Sequence, residues 1–352
     1  MQWSIRILVL SLFLVEHAWG AQPVPARPGE ADQAYRLGVR LQQEGRLAEA
    51  IEAFRSTLRL NPMRTVAYVR LKEVYGRGRT SDQVVAELKQ QTDQDDTDFV
   101  SWNLLGILYA KQRRWADAMA ALQRAVQIQP ADVDAWTSLG WLSSELGQIE
   151  KGREAFRRAL VLDPAYGRAH AGLAGLYAET GGSYDKAIEE YRLALSVEPD
   201  NPAYLYDMGW VYYRKGMTDE ALKILTEASI LSPDDATGRA KIGWARLRRK
   251  EYRAAMEEFE RALRIQPTYA FARFGLARAL QAEGNDEAAA LEYKRAWREA
   301  DNDIYLLYLI KLSLQRNLWV VFLVVASAMG LTLLWLMRRR GPPEASRPEP
   351  GK

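Results

Sequence analysis

The sequence predicts an all-α solenoid of about eight helix–turn–helix repeats, followed by a capping helix and one transmembrane helix. Three observations carry this. Prolines at 62, 130, 164, 199, 233 and 267 are separated by 68, 34, 35, 34 and 34 residues, the first gap being twice the period. A fixed period of this length marks a stacked repeat. Large apolar and small residues return at helical spacing within each period, and 21 uncharged residues run unbroken from Asn317 to Met337. Such a run is long enough to cross a bilayer.

From the N-terminus, residues 1–20 carry Arg6, the apolar run Ile7 to Val15, and small residues Ala18 and Gly20 before Ala21. This is the pattern of a secretory signal peptide cleaved after Gly20, and the run is short for a span. Cleaved or retained as an anchor, it sends residues 21–316 across the membrane. A linker covers 21–30. The array covers 31–301, with repeats at about 31–64, 65–98, 99–132, 133–166, 167–201, 202–235, 236–269 and 270–301. Within it, Trp102, Leu105, Gly106, Tyr109, Ala118, Ala125 and Pro130 return one period on as Trp136, Leu139, Gly140, Phe156, Ala159 and Pro164. Trp136, Leu139, Gly140 and Ser143 share one face of a first helix, where the small residue admits the second helix. Phe156 and Ala159 form the matching stripe, and Pro164 ends the pair because it cannot donate to a continuing helix. One pair cannot bury its own apolar face, so neighbours stack. Repeat two departs by placing Lys72 in the glycine slot, and repeat eight has Asp301 where the proline should be. Residues 302–316 form a capping helix. The span 317–337 has Trp319 and Trp335 near its ends, and the short Pro-rich tail 338–352 opens with Arg338, Arg339 and Arg340, which the positive-inside bias keeps in the cytoplasm.

These residues resemble the tetratricopeptide repeat family, whose pattern is W-x2-L-G-x2-Y, A-x3-F and P. The resemblance implies a right-handed superhelix with an inner surface that binds protein or peptide partners. The inner position directly after the small residue is Trp141, Trp210 and Trp244 in repeats four, six and seven, Gly175 in repeat five and Arg278 in repeat eight. It points roughly 200° from the conserved leucine, so the repeat's own pair does not need it. Tyr206, Tyr213 and Phe274, with Arg214 and Lys241, extend this candidate groove. Two readings stay open: the rings anchor a partner, or they pack between repeats. The carboxylate-clamp type of the family is disfavoured, because Tyr35, Val39, Arg70 and Leu104 stand at the relevant places.

Composition excludes much else. Of 352 residues none is Cys and two are His, which removes disulfides, thiolate chemistry and most zinc sites. His170 reads as a satisfied, partly buried side chain in the slot other repeats give to Trp. The stretch GRGRT, 76–80, lacks phosphate-loop spacing and falls at a helix–helix turn. Pairs Glu189–Glu190 and Glu257–Glu258 read as solvated outer surface. No catalytic residue, metal site or cofactor is expected, and the protein is not expected to be an enzyme. The chain has 48 Lys plus Arg against 45 Asp plus Glu. The leader holds Arg6 and Glu16 and the tail five cations against two anions, which leaves residues 21–316 neutral, with 42 of each. A neutral array without a basic stripe disfavours nucleic acid. Ala/Arg-rich, Lys-poor repeats and the lack of any N-x-S/T sequon in 21–316 point to a bacterium. The expected function is a single-pass inner-membrane scaffold with its array in the periplasm. A periplasmic chaperone or assembly factor, and a non-catalytic subunit that positions an enzyme, are the alternatives.

Overall fold

The structure is a computed structural model that describes residues 29–62, 64–77, 79–300 and 302–316, with isolated positions at 327, 329 and 332. The leader, all but the last two residues of the 21–30 linker, the tail 338–352 and, those three positions apart, the span 317–337 lie outside the described residues. Among the described residues there is no strand, and no helix long and apolar enough to cross a membrane. The chain divides into two compact units, one ending at Pro199 and one beginning at Asp200.

The first unit holds α1 (Glu30–Gln43), α2 (Leu47–Leu60), α3 (Val66–Gly76), α4 (Ser81–Gln94), α5 (Phe99–Lys111), α6 (Trp115–Ile128), α7 (Val133–Glu145), α8 (Ile149–Leu162), α9 (Gly167–Glu179) and α10 (Tyr184–Val197). The second holds α11 (Pro202–Lys215), α12 (Thr218–Leu231), α13 (Ala236–Arg248), α14 (Tyr252–Ile265), α15 (Ala270–Ala282), α16 (Asp286–Ala300) and α17 (Asp303–Arg316). Odd and even helices pair in order. The turn inside most pairs needs one residue of positive φ, supplied by Gly45, Gly147, Gly216 and Gly284 but by Arg113 and Lys250 in two pairs. Side chains of Asp98, Asp132, Asn201 and Asp235 cap the helices that come after them by accepting backbone N–H bonds.

In each unit the core holds one large side chain per pair. Phe54, Leu88, Leu122, Phe156 and Tyr191 in the first unit, and Leu225, Phe259 and Tyr293 in the second, are all buried. Facing them, the small slot reads Gly38, Lys72, Gly106, Gly140 and Ala174, then Gly209, Gly243 and Ala277. A Cβ added at Gly140 would lie 2.6 Å from Phe156, and one at Gly243 2.7 Å from Phe259. Each ring is held from the other side by a glycine of the next pair, Gly172 against Phe156 and Gly275 against Phe259. The α3/α4 pair is different. Lys72 occupies the slot, and α3 and α4 barely touch, unlike the two helices of every other pair. Through the gap α2 approaches α5, with buried Arg55 ion-paired to buried Asp98.

Candidate functional site

In the first unit the inner positions of α5 and α7 are Ile107 and Trp141. Trp141 is 42% exposed and sets its edge on Phe156, ring centres 5.5 Å apart. Together with Trp115 and Leu142 these two residues line a cavity of about 380 Å³, to which Lys72, Lys111 and Arg168 bring positive charge. A second cavity of about 230 Å³ lies where α3 and α4 stand apart, lined by Lys72, Val84, Leu88, Leu104, Leu108 and Lys111 among others. Both cavities share Lys72, Ile107 and Lys111.

Behind them lies a buried polar network. Asp134 accepts bonds from the Tyr166 hydroxyl (2.8 Å), Asn103 Nδ2 (3.3 Å) and Arg168, and the Lys72 ammonium stands 3.9 Å away. Asp132 accepts from the Tyr68 hydroxyl at 2.6 Å and, as cap of α7, from the N–H groups of Asp134 (3.0 Å) and Ala135 (3.2 Å). Burial, and next the Asp134 charge, push the Asp132 carboxyl up to about 7. Asp134 stays below the ordinary carboxylate value despite burial, because Arg168 and Lys72 favour its charged form. Burial lowers the Lys72 pKa, Arg168 and Lys111 lower it further, and Asp134 opposes them.

The second unit carries an aromatic surface. Trp210 stacks on Tyr213 at 4.5 Å and meets the edge of Phe271 at 5.8 Å. Trp244 packs on Phe271 (5.4 Å), Phe274 (5.7 Å) and Phe259 (5.7 Å). The Arg248 guanidinium lies 3.8 Å over the Tyr213 ring and donates to the Tyr213 carbonyl. Trp210, Tyr213, Trp244 and Phe271 are each half-buried.

The slot three residues into the first helix does structural work in repeats three, four, five, seven and eight. Trp102 and Trp136 donate their indole N–H to the carbonyls of Asp96 (3.1 Å) and Pro130 (2.9 Å), six residues earlier. His170 Nε2 bonds the Pro164 carbonyl at 2.9 Å while Nδ1 lies 2.7 Å from Glu190. A carbonyl only accepts, so Nε2 carries a proton; the Glu190 carboxylate beside Nδ1 favours a second and raises the imidazole pKa. Arg239 and Arg273 repeat the arrangement, each donating to a proline carbonyl and to Glu258 or Glu292. This corrects the reading of Glu190 and Glu258 as solvated surface. Glu189 and Glu257 are exposed, but their neighbours turn inward to partner this slot. The GRGRT stretch ends α3, and Thr80 forms a capping box with Gln83 at the start of α4.

Signatures described as tetratricopeptide repeat match residues 99–132, 121–154, 206–270 and 246–312, and one described as TPR repeat matches 180–216. Together they span more than half of the chain. It is a tetratricopeptide repeat protein. No curated protein matches the sequence. Among solved structures, a chain of the APC/C hetero-tetramer Cut9–Hcn1 is similar with TM-score 0.65 and 17% identity, over 81% of this chain and 56% of that one. This chain thus spans little more than half the length of that relative. A tetratricopeptide repeat protein from Parabacteroides merdae gives 0.53 and 16% over 81% and 99% of the two chains. PilW, a type IV pilus biogenesis factor, gives 0.54 and 16% over 59% and 96%. These likenesses concern the fold alone.

Within this tetratricopeptide array the candidate groove residues divide. Trp210, Tyr213 and Trp244 come together, and Arg214 is exposed beside them. Trp141 belongs to the other unit. Tyr206 is not on the inner surface: it is 2% exposed, its hydroxyl donates to the Ser232 carbonyl at 3.1 Å, and its ring fills the space left by Gly238. Lys241 is no free cation, because it binds Asp207 at 2.6 Å. Phe274 and Arg278 are covered by α17, whose Tyr305 stacks on Phe274 at 4.7 Å and whose Tyr308 hydroxyl accepts from Arg278 at 3.1 Å. Phe271, Arg248, Ile107 and Lys111 were not legible as site residues. For Ile107 a signal existed, since it holds the inner position of repeat three.

Proposed function

We propose that the chain is a membrane-anchored scaffold that holds its array on the periplasmic face of a bacterial inner membrane and binds a segment of a partner protein along the aromatic surface of the second unit. A tetratricopeptide fold is suited to protein–protein interaction. Trp210 carries the reading. It sits where its own helix pair needs no ring, it is half-buried, and Tyr213 and Arg248 preorganise its surroundings. Rigid aromatics of this kind serve as anchors worth about 2 kcal/mol each once desolvated. Anchoring is supported by the uncharged run 317–337 with Arg338–Arg340 behind it, and export by the leader-like residues 1–20. In this reading the chain is non-catalytic and takes no cofactor.

A photo-crosslinker at Tyr213 in intact cells captures the partner. Trp210→Ala abolishes capture and leaves the melting temperature nearly unchanged, whereas Trp244→Ala lowers both, because Trp244 is wedged among Phe259, Phe271 and Phe274. Parallel loss of stability and capture in Trp210→Ala would sink the anchor role. Protease added to spheroplasts digests the array and spares the tail; the reverse pattern would overturn the topology.

A further inference from the structure

Lys72 has the one long, charged side chain in a slot that is otherwise Gly or Ala. Its pair stands open, and the opening is the smaller cavity. Lys72 makes no hydrogen bond among the described residues, its nearest carboxylate oxygen being 3.9 Å away. Lys111, exposed on α5, makes neither hydrogen bond nor ion pair among them. The other lining cations are engaged, Arg79 with Glu87 and Arg168 with Asp134. Glu145, exposed, is the one carboxylate among the described residues that line either cavity. In the larger cavity the buried Ser138 hydroxyl has no partner among the described residues. Two apolar cavities therefore adjoin at two lysines, Lys111 without a carboxylate partner and Lys72 with only a long contact to an Asp134 that Arg168 already holds, with an unsatisfied hydroxyl in one wall.

We propose that the two cavities form one site for an extended protein segment carrying an acidic side chain flanked by bulky apolar ones, whose carboxylate lies between Lys72 and Lys111. The apolar side chains fill the cavities, and the Ser138 hydroxyl meets the segment backbone. Alternate side chains of an extended chain lie on one face roughly 7 Å apart, so the acid reads at the centre and leucines at positions two before and two after. Burial and the Arg168 and Lys111 charges outweigh the long contact with Asp134 at the Lys72 ammonium, an imbalance that an incoming carboxylate relieves. The inference rests on the reading of the chain as a scaffold for protein segments, and assigns chemistry to a second place on it.

The test is fluorescence anisotropy on the full-length chain in detergent, with N-acetylated, C-amidated nine-residue peptides carrying Leu-x-Glu-x-Leu. The Glu peptide is expected to bind about tenfold tighter than its Gln counterpart, and added salt to narrow the gap. Lys72→Met and Lys111→Met keep the apolar stems and should each remove most of this discrimination; Lys111 is exposed, so its variant folds. Trp210→Ala should leave it intact. Equal binding of Glu and Gln peptides, or indifference to both lysine variants, overturns the proposal. So does tighter binding of a Gln peptide with a free C-terminal carboxylate, which would make the ligand a chain end. If no peptide binds while Tyr213 still crosslinks a partner, the cavity site falls and the scaffold reading stands. Lysine-dependent Glu binding without any Tyr213 crosslink leaves the cavity site standing and removes the aromatic one.

Discussion

The second and seventh helix pairs occupy the same place in the repeat, yet one carries Lys72 where the other carries Gly243. In the seventh, α13 and α14 close until a Cβ at Gly243 would lie 2.7 Å from Phe259. In the second, α3 and α4 stand apart over a cavity of about 230 Å³, and Lys72 in its lining brings it charge. The same repeat position thus serves as packing in one pair and as a pocket wall in the other. The core position keeps its role in both pairs, since Leu88 and Phe259 are each buried in their own unit.

The strongest test of this contrast removes the core side chain from each pair. Phe259 is gripped between Gly243 and Gly275, so Phe259→Ala leaves a cavity that cannot collapse and should cost roughly 3–5 kcal/mol. Leu88→Ala, in a pair already open, should fall near the low end for such truncations, about 2 kcal/mol. Urea denaturation of the two variants decides; equal losses would mean that the second pair is closed as tightly as the seventh.

The polar network beside the open pair predicts the next effect. Asp132 is raised in the folded state to about 7, above the ordinary carboxylate value of 3.8. Its stabilising contribution is therefore full below about pH 4 and lost as pH rises through 7. Asp134 is shifted the other way, so its contribution is lost only as pH falls below the ordinary carboxylate range. Asp132→Asn keeps the cap on α7 and a partner for Tyr68. It should flatten the decline in first-unit stability between about pH 4 and 7, a change on the order of 2–4 kcal/mol. Denaturation at stepped pH measures it, and an unaltered slope in the Asn variant would remove Asp132 as its cause.

Smaller effects come from exchanging the slot itself. Gly243→Ala gains helix propensity worth up to about 1 kcal/mol but drives a methyl into Phe259, and Gly275 behind the ring closes its retreat. The clash wins, for a net loss of about 1–2 kcal/mol. Lys72→Ala meets no such ring and removes a half-buried cation whose only carboxylate contact is 3.9 Å long and whose partner Asp134 keeps Arg168, so stability should hold or rise. A larger loss in Lys72→Ala than in Gly243→Ala would break the comparison.

Much of the array was legible in the sequence because each repeat position imposes a local requirement: proline stops a pair, and a small residue admits a ring. Trp210, Tyr213 and Trp244 came from that logic and do lie together. What escaped it depends on a second repeat or on the cap. Tyr206 looks inward by register, but Gly238 on α13 leaves a hole that draws the ring into the core. Phe274 and Arg278 occupy inner positions that α17 then covers. Lys72 was visible as a departure, but its consequence needs α4, α5 and α7 together: no single repeat contains both cavities or the Asp134 that sits behind them.

The least of the expected effects concerns the turn that joins the helices of a pair. Lys250 in the seventh pair has φ 64°, and Arg113 in the third 58°, where other pairs place glycine. A Cβ in this left-handed region crowds the neighbouring carbonyl at about 1–2 kcal/mol, while glycine avoids the crowding but loses more backbone freedom on folding. Lys250 is exposed, and no hydrogen bond or ion pair of its side chain is present among the described residues. Lys250→Gly should therefore stabilise the second unit by about 0.5–1 kcal/mol, and Gly284→Lys, the reverse exchange at the eighth pair's turn, should cost a similar amount. A gain in one and a loss in the other, read as opposite shifts in denaturation midpoint, would separate turn geometry from the slot as a source of tightness. A loss on Lys250→Gly would mean that chain entropy outweighs the crowding, and that the seventh pair owes its closure to Gly243 alone.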